Sequence, residues 1–88
     1  MKLDFPNPSR SYDARRQRVR FWAHDEALEI PFFIEVAALC RIDPNAAGDE
    51  DELLRVFDVN RSRICAAATR IYTRYERASY TLSPADLS

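Results

Sequence analysis

Side chains that could catalyse a reaction or bind a metal are few in this sequence and far apart. His24 is its only histidine, and Cys40 and Cys65 are its only cysteines. A structural zinc site needs four such ligands brought together, and a cysteine nucleophile needs a nearby base and an oxyanion site. His24, at the end of a predicted hairpin, is typical of a solvated loop residue, and thiols among apolar neighbours in predicted helices are typical of inert, buried core residues. We therefore expect a protein that is not an enzyme and that binds no metal and no cofactor.

A basic and aromatic stripe runs along residues 18–24, where the side chains alternate with the period of a half-buried strand. Arg18, Arg20, Trp22 and His24 point to the same side of that strand. Guanidinium groups can follow a phosphate backbone while an indole ring stacks on a base. The stripe therefore supports one hypothesis, a nucleic-acid-associated protein that uses the Arg and Trp side chains of this first hairpin strand.

The same stripe has a second interpretation, which we favour. Glu29 and Glu35 lie on the same face of the next predicted strand and would neutralise the arginines, while the chain termini or the long helix would cover Trp22. The formal net charge of −1 also lacks the basic excess of a dedicated nucleic-acid binder. A small sheet that packs one face on helices often leaves the other face for water or a partner. The predicted partner-contact face consists of Arg18, Arg20, Trp22 and Phe33.

A polar notch at Asn60 and Arg61 is the second unusual feature, because it interrupts the apolar stripe of a predicted helix. In a continuous helix one of these residues would face the body of the protein. A buried Arg needs an acidic partner, which Asp58 or an acid of the 43–52 loop would supply. The notch is a structural ion pair, an Arg61 side chain that extends along the surface to place its charge in water, or a contact site for an anion or a partner.

The elements that position these residues are two strands in a hairpin of about residues 18–34. In the predicted register, a turn at Asp25-Glu26 sets Ala23 opposite Leu28, although a four-residue loop over 24–27 fits equally well. Pro31 cannot donate to a ladder, so it should face an unpaired edge or start a break. Brief strands are predicted at 11–13 and 79–82, and an arm over 1–11 should dock through apolar side chains.

Two helices follow the hairpin in the prediction. A short one covers 35–42, and a long one covers 49–76, opened by Asp49 and Glu52 in the pattern of a capping box. Two helices that meet at Asn60-Arg61 are the alternative, and we favour one helix because no Gly or Pro interrupts it. Ser83-Pro84 should open a last turn. The predicted fold class is α+β, a small antiparallel sheet of three to four strands with a short helix and one long C-terminal helix packed on one face. The predicted core is Val19, Phe21, Leu28, Ile30, Phe32, Ile34, Leu39, Leu53, Leu54, Phe57, Ile64, Ala68 and Ile71.

The bulk properties set the wider expectations. Eighty-eight residues allow one small domain, residues 1–88. The sequence has no signal-peptide pattern and no apolar run near the roughly 20 residues that a membrane span needs. We expect a cytoplasmic protein with no membrane association. Its function should be protein–protein contact, with an unknown protein partner or by self-association, and nucleic-acid association is the less favoured alternative.

Short motifs of strand and core residues also follow one another in a characteristic order. They are Tyr12-Asp13, Arg18-Val19-Arg20-Phe21-Trp22, Glu29-Ile30-Pro31-Phe32-Phe33-Ile34, Ala38-Leu39, Phe57-Asp58, Asn60-Arg61, Ile64, and Tyr80 with Leu82. In this order the chain resembles, over nearly its whole length, the bacterial domain of unknown function family 1488. The resemblance implies a small stand-alone bacterial protein with a compact α+β fold, and it implies no activity and no catalytic residue.

Overall fold

Four strands and three α-helices make up the part of the chain that the computed structural model describes, residues 3–6, 8–46, 48–72 and 78–87. In chain order they are β1 Arg10–Asp13, β2 Arg18–Asp25, β3 Leu28–Glu35, α1 Val36–Ile42, α2 Glu50–Val59, α3 Arg61–Ile71 and β4 Tyr80–Leu82, followed by a 3-10 turn at Pro84–Leu87. The predicted strands at 11–13 and 79–82, the short helix and the closing turn are thus confirmed.

The four strands form one sheet in the order β1-β2-β3-β4. The first three are antiparallel neighbours, but β4 runs parallel to β3. The α+β fold class is confirmed, whereas the prediction of an entirely antiparallel sheet is wrong in this last strand. The chain passes through α1, α2 and α3 between β3 and β4, and such a long crossover is the connection that parallel neighbours require.

The β2–β3 hairpin keeps the predicted faces but not the predicted register. Ala23 pairs with Ile30, and the closing pair is Asp25 with Leu28, so the strands are shifted by two residues. Glu26 takes a left-handed conformation with φ +58° in the turn that follows Asp25. Because side chains alternate with a period of two, an even shift leaves every residue on its face. It does move Leu28 to the hairpin tip, where it is 46% exposed rather than part of the core as predicted.

Pro31 lies just before the part of β3 that β4 pairs with, which begins at Phe32. Its backbone nitrogen, which has no hydrogen to donate, therefore lies outside the stretch of β3 that forms hydrogen bonds with β4. This agrees with the prediction that Pro31 faces an unpaired edge.

The long predicted helix comes as two helices that meet at Asn60, whose φ of −106° and ψ of 19° leave the helical region. Its side-chain amide donates to the carbonyl oxygen of Val56 over 2.9 Å. An Asn that bonds to nearby backbone in this way competes with helix continuation. The polar notch therefore marks the break. The last residues of the predicted helix, 73–77, lie outside the described part of the chain.

The core lies between the helices and one face of the sheet and is rich in aromatic rings. The rings of Phe21 and Phe32 lie 5.7 Å apart, centroid to centroid, and Phe57 of α2 lies 5.2 Å from Phe21. Most predicted core residues are buried, while Ile30, Leu54 and Ile71 are half-buried against the core. The buried apolar residues that the prediction omitted are Ala23, Ala38, Val56, Ala67, Tyr72, Tyr80, Leu82 and Leu87.

The N-terminal arm docks on this core as predicted. The ring of Phe5 lies 6.3 Å from that of Phe21, and Leu3 is also half-buried against the cluster. Between them, Asp4 exchanges two backbone hydrogen bonds with His24 of β2. The arm therefore extends the edge of β2 beyond the end of β1.

Loss of the α2 cap should cost a measurable part of the stability. The Asp49 carboxylate accepts from the backbone N–H of Glu52 over 2.8 Å, and replacing such a cap by Ala costs about 1 kcal/mol. Asp51 carries the same charge in the same first turn but makes no such bond among the described contacts. We expect Asp49→Ala to lower the free energy of unfolding in urea by about 1 kcal/mol and Asp51→Ala by about 0.3 kcal/mol. Equal losses would contradict the capping role.

Candidate partner-contact face

The sheet has one face covered by helices and one face that α1, α2 and α3 leave free. Val19, Phe21 and Ala23 point into the core, together with Phe32 and Ile34 of β3, and all five are fully buried. The alternate residues point to the other side of the sheet. We call that side the open face, and its central members are Arg18, Arg20, Trp22 and His24 on β2 and Glu29, Pro31, Phe33 and Glu35 on β3.

The centre of the open face is a stack of guanidinium groups on aromatic rings. The Cζ atom of Arg18 lies 3.6 Å from the centroid of the Phe33 ring. Arg20 Cζ lies 5.0 Å from the Trp22 ring and 5.9 Å from that of Phe33, its cross-strand neighbour. Such cation–π contacts orient the planar guanidinium groups along the rings. All four residues predicted for the partner-contact face thus lie side by side.

The charges of the open face are mixed, with basic residues on β2 and acidic residues on β3. The Nε of Arg18 lies 3.5 Å from a carboxylate oxygen of Asp13, and Glu35 is its cross-strand neighbour. At the other end, His24 Nε2 lies 3.7 Å from a carboxylate oxygen of Glu29. The expected neutralisation of the stripe by acidic neighbours therefore has a structural basis.

Trp22 is half-buried and pairs across the strands with Pro31. Cover of this side chain was predicted from the chain termini or from the long helix. The helices of the long C-terminal segment pack on the opposite side of the sheet, so the second alternative is wrong. The reason is that consecutive residues of a strand point to different faces, so Trp22 points away from the helices when Phe21 points into the core. Cover by the termini stays a prediction. The indole and the Phe33 ring remain partly exposed.

The polar notch lies on the helical side of the sheet, away from the open face. Arg61 is half-buried, with its Cζ 5.5 Å from the ring of Phe57. Asp58, an expected partner of Arg61, instead accepts two hydrogen bonds from Arg10, over 2.9 and 2.8 Å. That bidentate hydrogen bonding also raises the pKa of Arg10. Of the two partners predicted for Arg61, Asp58 is wrong because it binds Arg10 of β1, and this pair ties β1 to α2. An acid of the 43–52 loop stays a prediction.

The most unusual polar contact among the described residues was not predicted from the sequence. Asp25 is only 2% exposed, and one of its carboxylate oxygens accepts a 2.5 Å hydrogen bond from the Tyr72 hydroxyl. Tyr72 follows α3 and is itself buried. One signal was available: the inward alternation of Val19, Phe21 and Ala23 reaches Asp25 when it continues by one step. Its partner lies 47 residues away and had no local signal.

The two thiols are less buried than predicted. Cys40 and Cys65 are both free cysteines and both half-buried, because each lies at the margin of the apolar stripe of its helix. Burial raises the pKa of the Cys65 thiol, an effect that the charge of Arg61 partly offsets. A raised pKa keeps this thiol protonated and weakly nucleophilic. Across the described ranges, the His, Cys, Asp and Glu side chains form no group of three that could hold a metal ion.

Comparison with known proteins gives one result. A family described as "Protein of unknown function (DUF1488)" matches residues 3–83 of the 88 residues. No curated protein and no solved structure gives a significant match. In the described ranges, no helix is both long enough and apolar enough to cross a bilayer. The resemblance found in the sequence motifs is thereby confirmed, and the bacterial origin that it implies stays a prediction.

Proposed function

The chain belongs to DUF1488, a family of unknown function, and we propose that it acts through protein–protein contacts made by the open face of its sheet. The observation that carries this proposal is the stack of Arg18 and Arg20 on Phe33 and Trp22, on a sheet face that no described helix covers. The proposed role is that of a binding domain and not of an enzyme.

The composition of the stack supports a role as the anchor of an interface. Trp and Arg are enriched among the residues that dominate binding energy, and aromatic residues and Arg are enriched at interface centres. Because Arg18 and Arg20 already lie on aromatic rings, less side-chain freedom is lost when a partner covers them. Charged residues at both ends of the strands supply the polar rim that surrounds such a centre.

The acidic residues of the open face favour a protein partner over a nucleic acid. Asp13 and Glu35 lie beside Arg18, and Glu29 lies beside His24. Each carboxylate would oppose a phosphate backbone. A protein partner can place charges of both signs opposite such a surface. We expect no binding of single- or double-stranded oligonucleotides at low salt. Binding that weakens steeply as salt is added would redirect the assignment to nucleic acid.

The free thiols support a cytoplasmic location for this contact. Cys40 and Cys65 are half-buried and form no disulfide. Thiols in this state persist in reducing compartments. We therefore propose that the partner is met in the cytoplasm.

Site-specific photocrosslinking tests the proposed surface. Thr81 of β4 is exposed and pairs with Phe33, so a photoreactive residue there reports on the open face. Ser62 of α3 is exposed on the helical side and serves as the matched control position. We expect protein adducts from position 81 and not from position 62 in cells that make the full chain. Trp22→Ala should remove these adducts while the circular dichroism spectrum stays that of the folded protein.

The contrary outcomes are equally specific. Adducts from position 62 alone would move the contact to the helical side. Adducts from position 81 that survive Trp22→Ala would remove the aromatic stack as the anchor.

A further inference from the structure

The charges and rings of the open face are arranged so that the face is complementary to itself. Across the hairpin, Arg18 pairs with Glu35, Arg20 with Phe33, Trp22 with Pro31 and His24 with Glu29. In these pairs the basic side chains lie on β2 and the acidic ones on β3, and Asp13 of β1 adds a carboxylate beside Arg18. This inference rests on the proposed function, and it concerns what covers the face.

A two-fold axis that lies parallel to the strands, midway between β2 and β3, preserves every one of these pairs. Such an axis sets β2 of one copy over β3 of the other and keeps the position along the strand. Arg18 then meets Glu35 of the second copy, and at the other end His24 meets Glu29. A two-fold axis perpendicular to the strands would instead set one basic row on the other, which like charges oppose.

We propose that the partner of the open face is a second copy of this chain, packed face to face about a two-fold axis parallel to β2 and β3. Sheets packed in this aligned way lie about 10 Å apart with their strands within about 30° of each other. The centre is aromatic: Trp22 covers the second copy's Pro31, and Arg20 covers its Phe33. One end is closed by the ion pairs of Arg18 with Glu35 between the copies, and the other by contacts of His24 with Glu29.

The area of the open face sets the expected affinity of the dimer. Eight residues at about 3.3 Å each give a length of about 26 Å, and three strands about 4.8 Å apart give a width of roughly 15 Å. The face therefore offers roughly 400 Å² per copy, about half the area of a standard interface. We expect a weak dimer that forms as the protein concentration rises from about 10 µM to about 1 mM.

Sedimentation equilibrium of the full chain and two charge reversals test this arrangement. Arg18→Glu places Glu against Glu in both symmetry-related 18/35 contacts, which lie at the same end of the strands, and Glu35→Arg places Arg against Arg there. Each variant should self-associate at least about tenfold more weakly than the unchanged protein, because like charges juxtaposed across an interface are strongly disfavoured. Arg55→Glu, a reversal on the exposed side of α2, should leave the dimer in place.

Mixing supplies the decisive result. An equal mixture of the Arg18→Glu and Glu35→Arg chains restores both opposite-charge contacts, so it should dimerise about as well as the unchanged protein. The double variant Arg18→Glu/Glu35→Arg should also dimerise with itself. It keeps an opposite-charge pair across the two strands of one chain, so it still tests the proposal if either single variant fails to fold.

A monomeric mass for the unchanged protein up to about 1 mM, or failure of both the mixture and the double variant to associate, would overturn the proposal. The photocrosslinking experiment separates this failure from that of the proposed function. A monomer that still crosslinks from position 81 to a different protein would retain the contact surface with another occupant.

Discussion

Phe32→Ala should destabilise the protein by about 3–5 kcal/mol, as large truncations in aromatic cores do. The Phe32 side chain is fully buried, and its ring lies 5.4 Å from that of Tyr80 and 5.7 Å from that of Phe21. Removal of the ring leaves a cavity that β3, held between β2 and β4, cannot easily close. A domain of this size has a total stability of about 4–13 kcal/mol, so the variant should be folded only marginally. Urea unfolding followed by circular dichroism measures the loss.

The next residue supplies the control. Phe33 is the same amino acid in the same strand, but it lies half-buried on the open face beneath Arg18. Phe33→Ala should cost about 1 kcal/mol of stability, the scale of one cation–π contact, while it weakens association through the open face. Equal destabilisation by the two substitutions would mean that both faces of β3 are buried in core, and the open face would not exist.

Tyr72→Phe should cost about 2–3 kcal/mol, the next largest effect, although it removes a single oxygen atom. The hydroxyl donates a 2.5 Å hydrogen bond to the buried carboxylate of Asp25. A buried group that loses a hydrogen-bond partner incurs its desolvation penalty, about 1–3 kcal/mol and more for a charged group. Because the ring stays in place, the packing against Tyr80 at 5.4 Å is retained.

Tyr12→Phe is the matched control for the loss of a hydroxyl. Tyr12 is half-buried on β1, and its hydroxyl makes no hydrogen bond within the described ranges. The Tyr12→Phe substitution should change the free energy of unfolding by less than about 0.5 kcal/mol, as substitutions away from special contacts do. A Tyr72→Phe variant as stable as Tyr12→Phe would show that the Asp25 bond contributes little to the fold.

The sequence predicts the hairpin well where the signal is periodic and poorly where it depends on the turn. The alternation from Val19 to Ala23 defines the buried and open faces correctly, because a period of two survives an even shift in register. The turn was misplaced because Glu26 takes a left-handed φ of +58° without being Gly or Asn. Leu28 was consequently assigned to the core, although it lies at the exposed tip.

Features that depend on distant partners could not be predicted from local patterns. The direction of β4 is set by a crossover through three helices and not by its three residues. The polar residue Asn60 indicated an interruption of the apolar stripe. The hydrogen bond from its side-chain amide to the Val56 carbonyl oxygen, which accompanies the helix break, could be seen only in the structure. The sequence placed Arg18, Arg20, Trp22 and Phe33 on one face of the hairpin, and their role as a contact site stays a prediction. The stacking of Arg18 on Phe33 depends on the register of two strands, so it could be read only from the structure.

The central claim is that the open face is covered by a second copy in solution, and Trp22 reports on it directly. It is the only tryptophan of the chain, so all indole fluorescence comes from the candidate site. Fluorescence-lifetime quenching by acrylamide should be measured from about 10 µM to about 1 mM protein. The quenching constant should fall severalfold as the dimer forms, and it should stay high for Arg18→Glu throughout the range. A constant that does not change with the concentration of the unchanged protein would contradict the account.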